Sequence, residues 1–347
     1  MRFFTNNHQN YCGIDLHARS MYLCIQNQEG KVVLHRNMDA KPKQFLKSIK
    51  PFQEDVVVGV ECIFTWYWLA DLCAEHKIPF ILGHALYMKA IHGGKAKNDR
   101  IDSRKSAALR RGGTFPMAYV YPAKMRATRD LLRRRNHLAR KRAELLSHIQ
   151  NTNSQYNMEP FAANISHKQN RVGVLEQFTD PDVSMSMEAD LELIAQLEKQ
   201  RSKLELYITK NAKSHDPQAL YRLRSIPGIG PVLSLVILYE IGDINRFPRV
   251  QDFASYAPLV KCAKESAGKR SGTCGSKIGN AHLKWAFSEA AVLFLKGNPD
   301  GMKYKKRLVK KHGKGKALSI FAHKLGRAVY YILKRDRAFD QEKFLSS

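Results

Sequence analysis

Residues 11–16 read Tyr-Cys-Gly-Ile-Asp-Leu and residues 56–61 read Val-Val-Val-Gly-Val-Glu. The second stretch is short, continuous and β-branched, the pattern of a strand covered on both faces; the first reads as its partner, with an aspartate inside the apolar run. Working outward, residues 21–26 and 31–36 read as two more strands joined through the turn at Glu29-Gly30. Helices are predicted over 42–49 and 66–76, and a further strand over 79–83. Three strands, then helix, strand, helix, strand, is the order of an α/β, ribonuclease-H-like mixed sheet.

The two strands carry the first chemistry. Asp15 lies inside one and Glu61 directly follows the other, the apolar run 56–60, so pairing the strands makes the carboxylates neighbours. Asp99 and Asp102 are spaced i, i+3 at the start of a helix running towards Arg111, which puts both on one face. Taken singly, each is open to a plainer reading, a strand-edge aspartate or a helix-capping acid. Together, four converging carboxylates repel one another unless a divalent cation is held between them. All-oxygen donors suit Mg²⁺, or Mn²⁺ in its place. An actin-like nucleotide fold also uses a Gly-Ile-Asp-Leu strand, but needs a glycine where His17 stands. His17 reads as a packing or supporting group rather than a ligand.

The chain has 347 residues, with 58 Lys+Arg against 31 Asp+Glu, and 44% of it is apolar. It is long enough for two or three domains with real cores, and a charge of +27 points to a polyanionic partner. The excess is localised: residues 89–150 hold 17 Lys/Arg and 4 Asp/Glu, and residues 261–337 hold 20 and 4. Such concentration is expected of two phosphate-binding surfaces, the competing reading being solvated helix faces. No run reaches the roughly 18–20 apolar residues of a membrane span, and the start lacks a secretory apolar core, so a soluble intracellular, cytoplasmic protein with no membrane partner is expected. Six scattered cysteines without C-x-x-C pairs argue against a zinc module or a disulfide framework.

Residues 124–150 form a basic helical segment containing Arg133, Arg134 and Arg135, with Leu131, Leu138 and Leu145 seven apart. Residues 187–210 repeat Ile194, Leu197, Arg201, Leu204 and Ile208 at 3,4 spacing, and the two segments predict a central antiparallel coiled coil. An all-α C-terminal domain follows Asp216-Pro217. Within it, Ile226-Pro227-Gly228-Ile229-Gly230 reads as a helix-hairpin-helix-like turn whose amides hold a DNA phosphate, or as a simple connection. Ser266 stands among Lys264, Lys269 and Arg270, ahead of Ser276-Lys277-Ile278-Gly279-Asn280. A serine so placed can bind phosphate, attack phosphorus, or simply fill a loop.

These two motif series in this order resemble the DEDD transposases of bacterial insertion sequences, the bridge-RNA-guided recombinase family related to pilin-gene invertases. The resemblance spans roughly residues 10–300. It implies a RuvC-like catalytic domain over 1–120, a coiled-coil oligomerisation region over 121–215 and a helical transposase domain with a basic tail over 216–347. It also implies that Asp15, Glu61, Asp99 and Asp102 hold Mg²⁺ and that Ser266 joins covalently to a cleaved strand. Donor and target DNA, a noncoding guide RNA, and dimers assembling to tetramers with composite sites are the implied partners. Gly228, Gly230, Lys264, Lys269, Arg270, Lys277 and Arg133 to Arg135 are the candidate nucleic-acid contacts, and the tail beyond residue 300 is assigned backbone contact on charge alone. The chain departs from the family in two places. Ala257-Pro258-Leu259-Val260 replaces Gly-Leu-x-Pro, and Ser266-Ala267-Gly268 replaces Ser-Gly-Gly, which leaves Ser271 as the rival nucleophile, with Ser276 a further hydroxyl nearby. A nuclease that uses water as its nucleophile, and a non-catalytic nucleic-acid-binding protein, are the alternatives to a recombinase.

Overall fold

The computed structural model describes residues 2–91, 98–212, 216–274 and 278–346. The chain forms two compact units, Met1–Ala123 and Lys124–Ser347.

The first unit runs β1 (Phe3–Phe4), β2 (Asn10–Leu16), β3 (Ser20–Asn27), β4 (Val32–Asp39), α1 (Pro42–Ile49), β5 (Val56–Glu61), α2 (Tyr67–Glu75), β6 (Phe80–Gly83), α3 (Ala85–Ile91), α4 (Asp99–Arg111) and β7 (Phe115–Ala118). The strands form one mixed sheet in the order β1-β7-β6-β5-β2-β3-β4. β2, β5 and β6 are parallel, while β3, β4 and β7 run antiparallel to their neighbours.

Alternation along β2 and β5 divides the side chains between two faces. Cys12, Ile14, Leu16, Val56, Val58 and Val60 enter one core with Phe45 and Ile49 of α1 and Leu69 of α2. On the opposite face the register pairs Tyr11 with Val57 and Gly13 with Gly59. The next step along both strands brings Asp15 beside Glu61.

That second face carries α4. A Cβ at Gly13 would collide with the Ser103 carbonyl oxygen and the Ala107 amide nitrogen, and one at Gly59 with the Arg110 guanidinium. The helix backbone therefore lies directly on β2, and it turns small residues, Ser103, Ser106 and Ala107, into the contact. Asn98 caps the helix by accepting a hydrogen bond from the Ile101 amide at 2.8 Å. His35 of β4 steadies the first turn through the Arg100 carbonyl oxygen, 3.1 Å from its Nε2.

The second unit is helical: α5 (Ala123–Gln155), α6 (Pro181–Asn211), α7 (Pro217–Arg224), α8 (Pro231–Ile241), α9 (Val250–Tyr256), the hairpin β8 (Cys262–Ser266) and β9 (Lys269–Cys274), α10 (Ala281–Leu295), α11 (Pro299–His312), α12 (Lys314–Arg335) and α13 (Gln341–Ser346). The two-stranded hairpin departs from the all-α expectation. α8 is buried along nearly its whole length, from Leu233 to Ile241, and forms the centre of the core with α10 and α12. α5 and α6 are joined by ion pairs whose members run in opposite order along the chain: Arg135–Glu205, Arg142–Glu198 and His148–Asp190, each at 2.6 Å. The helices are therefore antiparallel. Ile165, Val174 and Phe178 of the connecting segment pack against Leu146, Ile149, Met187 and Ile194.

Candidate active site

The acidic site is built at the C-terminal end of β2 and β5. β2 ends at Leu16, and the His17 amide donates to the Ser20 carbonyl oxygen at 2.9 Å, closing the turn into β3. Asp15 and His17 are two residues apart and emerge together beside the first turn of α4. His17 Nε2 lies 3.2 Å from Asp99 Oδ2 and 3.7 Å from Asp15 Oδ1. The ligand atoms of Asp15, His17 and Asp99 all fall within 4.8 Å of one another. Glu61 is carried beside Asp15 by the strand register, and Asp102 sits one helical turn after Asp99. Of the four carboxylates expected at the site, the structure gathers Asp15 and Asp99 into one tight group and puts Glu61 and Asp102 on the elements that flank it.

His17 reads from the sequence as a packing or supporting group; its side chain is 47% exposed, which leaves the supporting role, and it stands beside both aspartates. Asp15, His17 and Asp99 could together offer two carboxylate oxygens and an imidazole nitrogen, donors that fit a divalent cation. About three turns along α4 from Asp99, Arg110 is fully buried over Gly59. Its Nη1 donates to the Ser106 carbonyl oxygen at 2.7 Å and its guanidinium stacks 4.0 Å from the Phe115 ring centroid. Burial pulls its pKa down to about 9.

In the helical unit, Ser266 ends β8 and pairs with Lys269 across the turn Ala267-Gly268. Both turn residues have positive φ, 49° and 71°, as a two-residue I′ hairpin requires. Ser266 and Lys269 are therefore cross-strand neighbours at an exposed tip. Alanine is strained in this conformation. Ala267→Asn is expected to raise stability by up to about 1 kcal/mol, seen as a higher unfolding midpoint. Lys264 and Arg270 occupy backbone positions on the two strands, Ser271 lies in β9, and Lys277 and Ser276 lie outside the described residues.

Two of the expected nucleic-acid contacts have other partners. Arg133 donates through Nε and Nη2 to Glu240 at 2.6 and 2.9 Å, and Arg135 is paired with Glu205. Each is engaged within the chain by an acid 107 or 70 residues away, which it shares with a second arginine: Arg129 at Glu240 and Arg201 at Glu205. Arg134 is exposed and remains on the solvent side of α5. Gly228 is also accounted for by packing: with φ at 82°, a Cβ there would meet the Leu293–Phe294 backbone of α10. Gly230, by contrast, has open space around it at the N-terminus of α8.

Sequence reasoning missed Glu240, because it sits in an apolar helix. It is 2% exposed and gathers Arg129 at 3.1 Å, Arg133, and Asn280 Nδ2 at 2.8 Å. Asn280 in turn caps α10, accepting from the His282 and Leu283 amides. Burial works to raise the Glu240 pKa, but the Arg133 bond and the nearby Arg129 charge outweigh it and hold the carboxyl at about 2. A carboxylate thus ties the basic helix to the end of the Ser-Lys-Ile-Gly-Asn segment.

Residues 12–158 match the DEDD transposase model of the IS110 type, and residues 220–306 match the model described as transposase IS116/IS110/IS902 family. The two matches cover more than half of the chain. The chain belongs to the IS110/IS116 transposase family. This transposase is 22% identical to the transposase for insertion sequence element IS1111A of Coxiella burnetii over 94% of its own length and 90% of the relative's. It is 22% identical to a probable family 20 transposase of Pseudomonas aeruginosa over 78% of this chain and 80% of that one. An IS110 protein of Streptomyces coelicolor shares 29% identity over 42% of this chain and 35% of its own. The transposase is a DNA-recombining enzyme, and its mixed sheet and helical C-terminal unit fit a DEDD, RuvC-like architecture. No helix of the described residues is long and apolar enough to cross a membrane.

Proposed function

We propose that this transposase cuts, exchanges and rejoins DNA strands through a serine-linked intermediate, with Asp15, Glu61, Asp99 and Asp102 holding Mg²⁺ and Ser266 as the nucleophile. The gathering of Asp15 and Asp99 at the end of paired strands, within a DEDD-type family match, is the observation that carries this reading. Mg²⁺ bound there would supply charge neutralisation at the scissile phosphodiester. The Ser266 hydroxyl gives up its proton as its oxygen bonds to phosphorus, and the departing deoxyribose oxygen takes up a proton. One phosphodiester replaces another, so rejoining needs no nucleotide hydrolysis, in keeping with the absence of a G-x-x-x-x-G-K-[ST] loop from the sequence. Lys269, across the turn, neutralises charge on the attacked phosphate.

The remaining roles follow from the same reading. Residues 1–120 form the catalytic domain, 121–215 a coiled coil that serves oligomerisation, and 216–347 the serine-bearing domain. Dimers assemble to tetramers on two DNA sites, which a noncoding guide RNA selects by base pairing. Arg134, Lys264, Arg270, Lys277 and the Gly230 hairpin contact phosphate backbone. The protein works in the bacterial cytoplasm on nucleoid DNA.

The test is a denaturing gel of the protein with Mg²⁺, its flanking RNA and labelled DNA spanning the element junction. Label should migrate with the wild-type protein and be lost from both Ser266→Ala and Asp102→Ala. Free cleaved DNA that persists in Ser266→Ala but requires Asp102 would overturn the serine step and leave a hydrolytic nuclease.

A further inference from the structure

The four carboxylates leave out His17, whose Nε2 stands 3.2 Å from Asp99 and 3.7 Å from Asp15. His17 is half-exposed, so an ion pair to Asp15 or Asp99 adds little to stability, about 0–1 kcal/mol for such solvent-facing contacts. Its position is nonetheless well defined. The His17–Ser20 backbone bond sets its Cα at the end of β2, and the first turn of α4 supplies Asp99 on its other side. Around a cation with ligands at about 2.1 Å, donor atoms lie about 3 Å apart when adjacent and about 4 Å when opposed. The Asp15, His17 and Asp99 donors, all within 4.8 Å of one another, need only small side-chain rotations to meet that geometry.

We infer that His17 is a nitrogen ligand of the metal, which makes the site a mixed carboxylate–imidazole centre that prefers Mn²⁺ to Mg²⁺. The inference rests on the reading of Asp15 and Asp99 as metal ligands. Its physical basis is donor softness: Mg²⁺ strongly favours oxygen, whereas imidazole nitrogen binds the later first-row ions more tightly. An oxygen-only set would leave the two ions much closer in affinity.

The experiment uses the full-length protein prepared without a histidine tag and titrated with Mn²⁺ alone, read by electron paramagnetic resonance and by the electron spin-echo modulation of bound Mn²⁺. Wild-type protein should show the ¹⁴N modulation of a directly bound imidazole. His17→Gln should still bind Mn²⁺ through its carboxylates but lose the ¹⁴N signal. Its Mn²⁺ affinity should fall by about tenfold, while Mg²⁺, measured by competition, weakens by no more than about threefold. Tight Mn²⁺ binding without ¹⁴N modulation in the wild type, or modulation that survives in His17→Gln, overturns the role of His17 and leaves the carboxylate reading standing. Mn²⁺ binding that is unchanged in Asp15→Asn overturns the carboxylate reading itself.

Discussion

Glu240→Ala is expected to destabilise the helical unit by about 3–5 kcal/mol, because it leaves buried guanidinium charge without its counter-ion. Arg129 is 10% exposed and Arg133 is partly buried, and both point at the one carboxylate. The same substitution removes the acceptor of the Asn280 amide and loosens the cap of α10. Glu240→Gln keeps the shape and an oxygen acceptor, so it should lose a smaller part of this. The carboxyl also has a pH signature. Its folded pKa, about 2, lies below the ordinary 4.5, so its contribution is complete above 4.5 and is lost as pH falls through about 2. A displacement of that size corresponds to about 3 kcal/mol. Glu198, which the Arg171 hydrogen bond holds at about 2 with help from Arg142 against the effect of burial, titrates in the same window. Denaturant midpoints measured between pH 5 and pH 2 should therefore fall steeply in the wild type and less steeply in Glu240→Ala. A wild-type midpoint that is flat over that range would show that the cluster does not hold its charge as described.

The contrast between Glu240 and Asp15 shows which parts of this protein can be read locally. The order of β2 to β6 with α1 and α2, and the helix beginning at Asp99, follow from periodicities of two and 3.6 within short windows. β1 has two residues and β7 has four, including Pro116, too little pattern to separate from loop. The β8–β9 hairpin carries polar and small residues and an alanine at its first turn position, so it lacks both alternation and the usual turn signal. The partners of Arg133 and Arg135 stand 107 and 70 residues away. A count of charge along the chain cannot distinguish a phosphate-seeking arginine from one already paired. His17 is a related case: its neighbour in sequence is Asp15, but Asp99, 3.2 Å from its Nε2, is brought beside it by α4.

What brings Asp99 there is Gly13, and Gly13→Ala is the sharpest test of the site's construction. In an isolated strand, alanine in place of glycine would help, since it removes backbone freedom from the unfolded chain. Here the new Cβ meets backbone atoms of α4, the Ser103 carbonyl oxygen and the Ala107 amide nitrogen, which cannot swing aside as a side chain can. The helix must lift, at a cost of about 1–3 kcal/mol typical of overpacking. Its first turn, with Asp99 and Asp102, then moves away from Asp15 and Glu61. A shift of about 1 Å in a positioned group is worth about 10²-fold in rate, so strand exchange should fall far more than stability does. Gly59→Ala is the control. It meets the Arg110 guanidinium, a side chain that can rearrange, and it lies farther along the helix from the acidic turn. It should lower the unfolding midpoint while retaining most of the strand exchange. If instead Gly13→Ala keeps both its midpoint and its activity, α4 does not rest on β2, and the convergence of strand and helix carboxylates loses its structural basis.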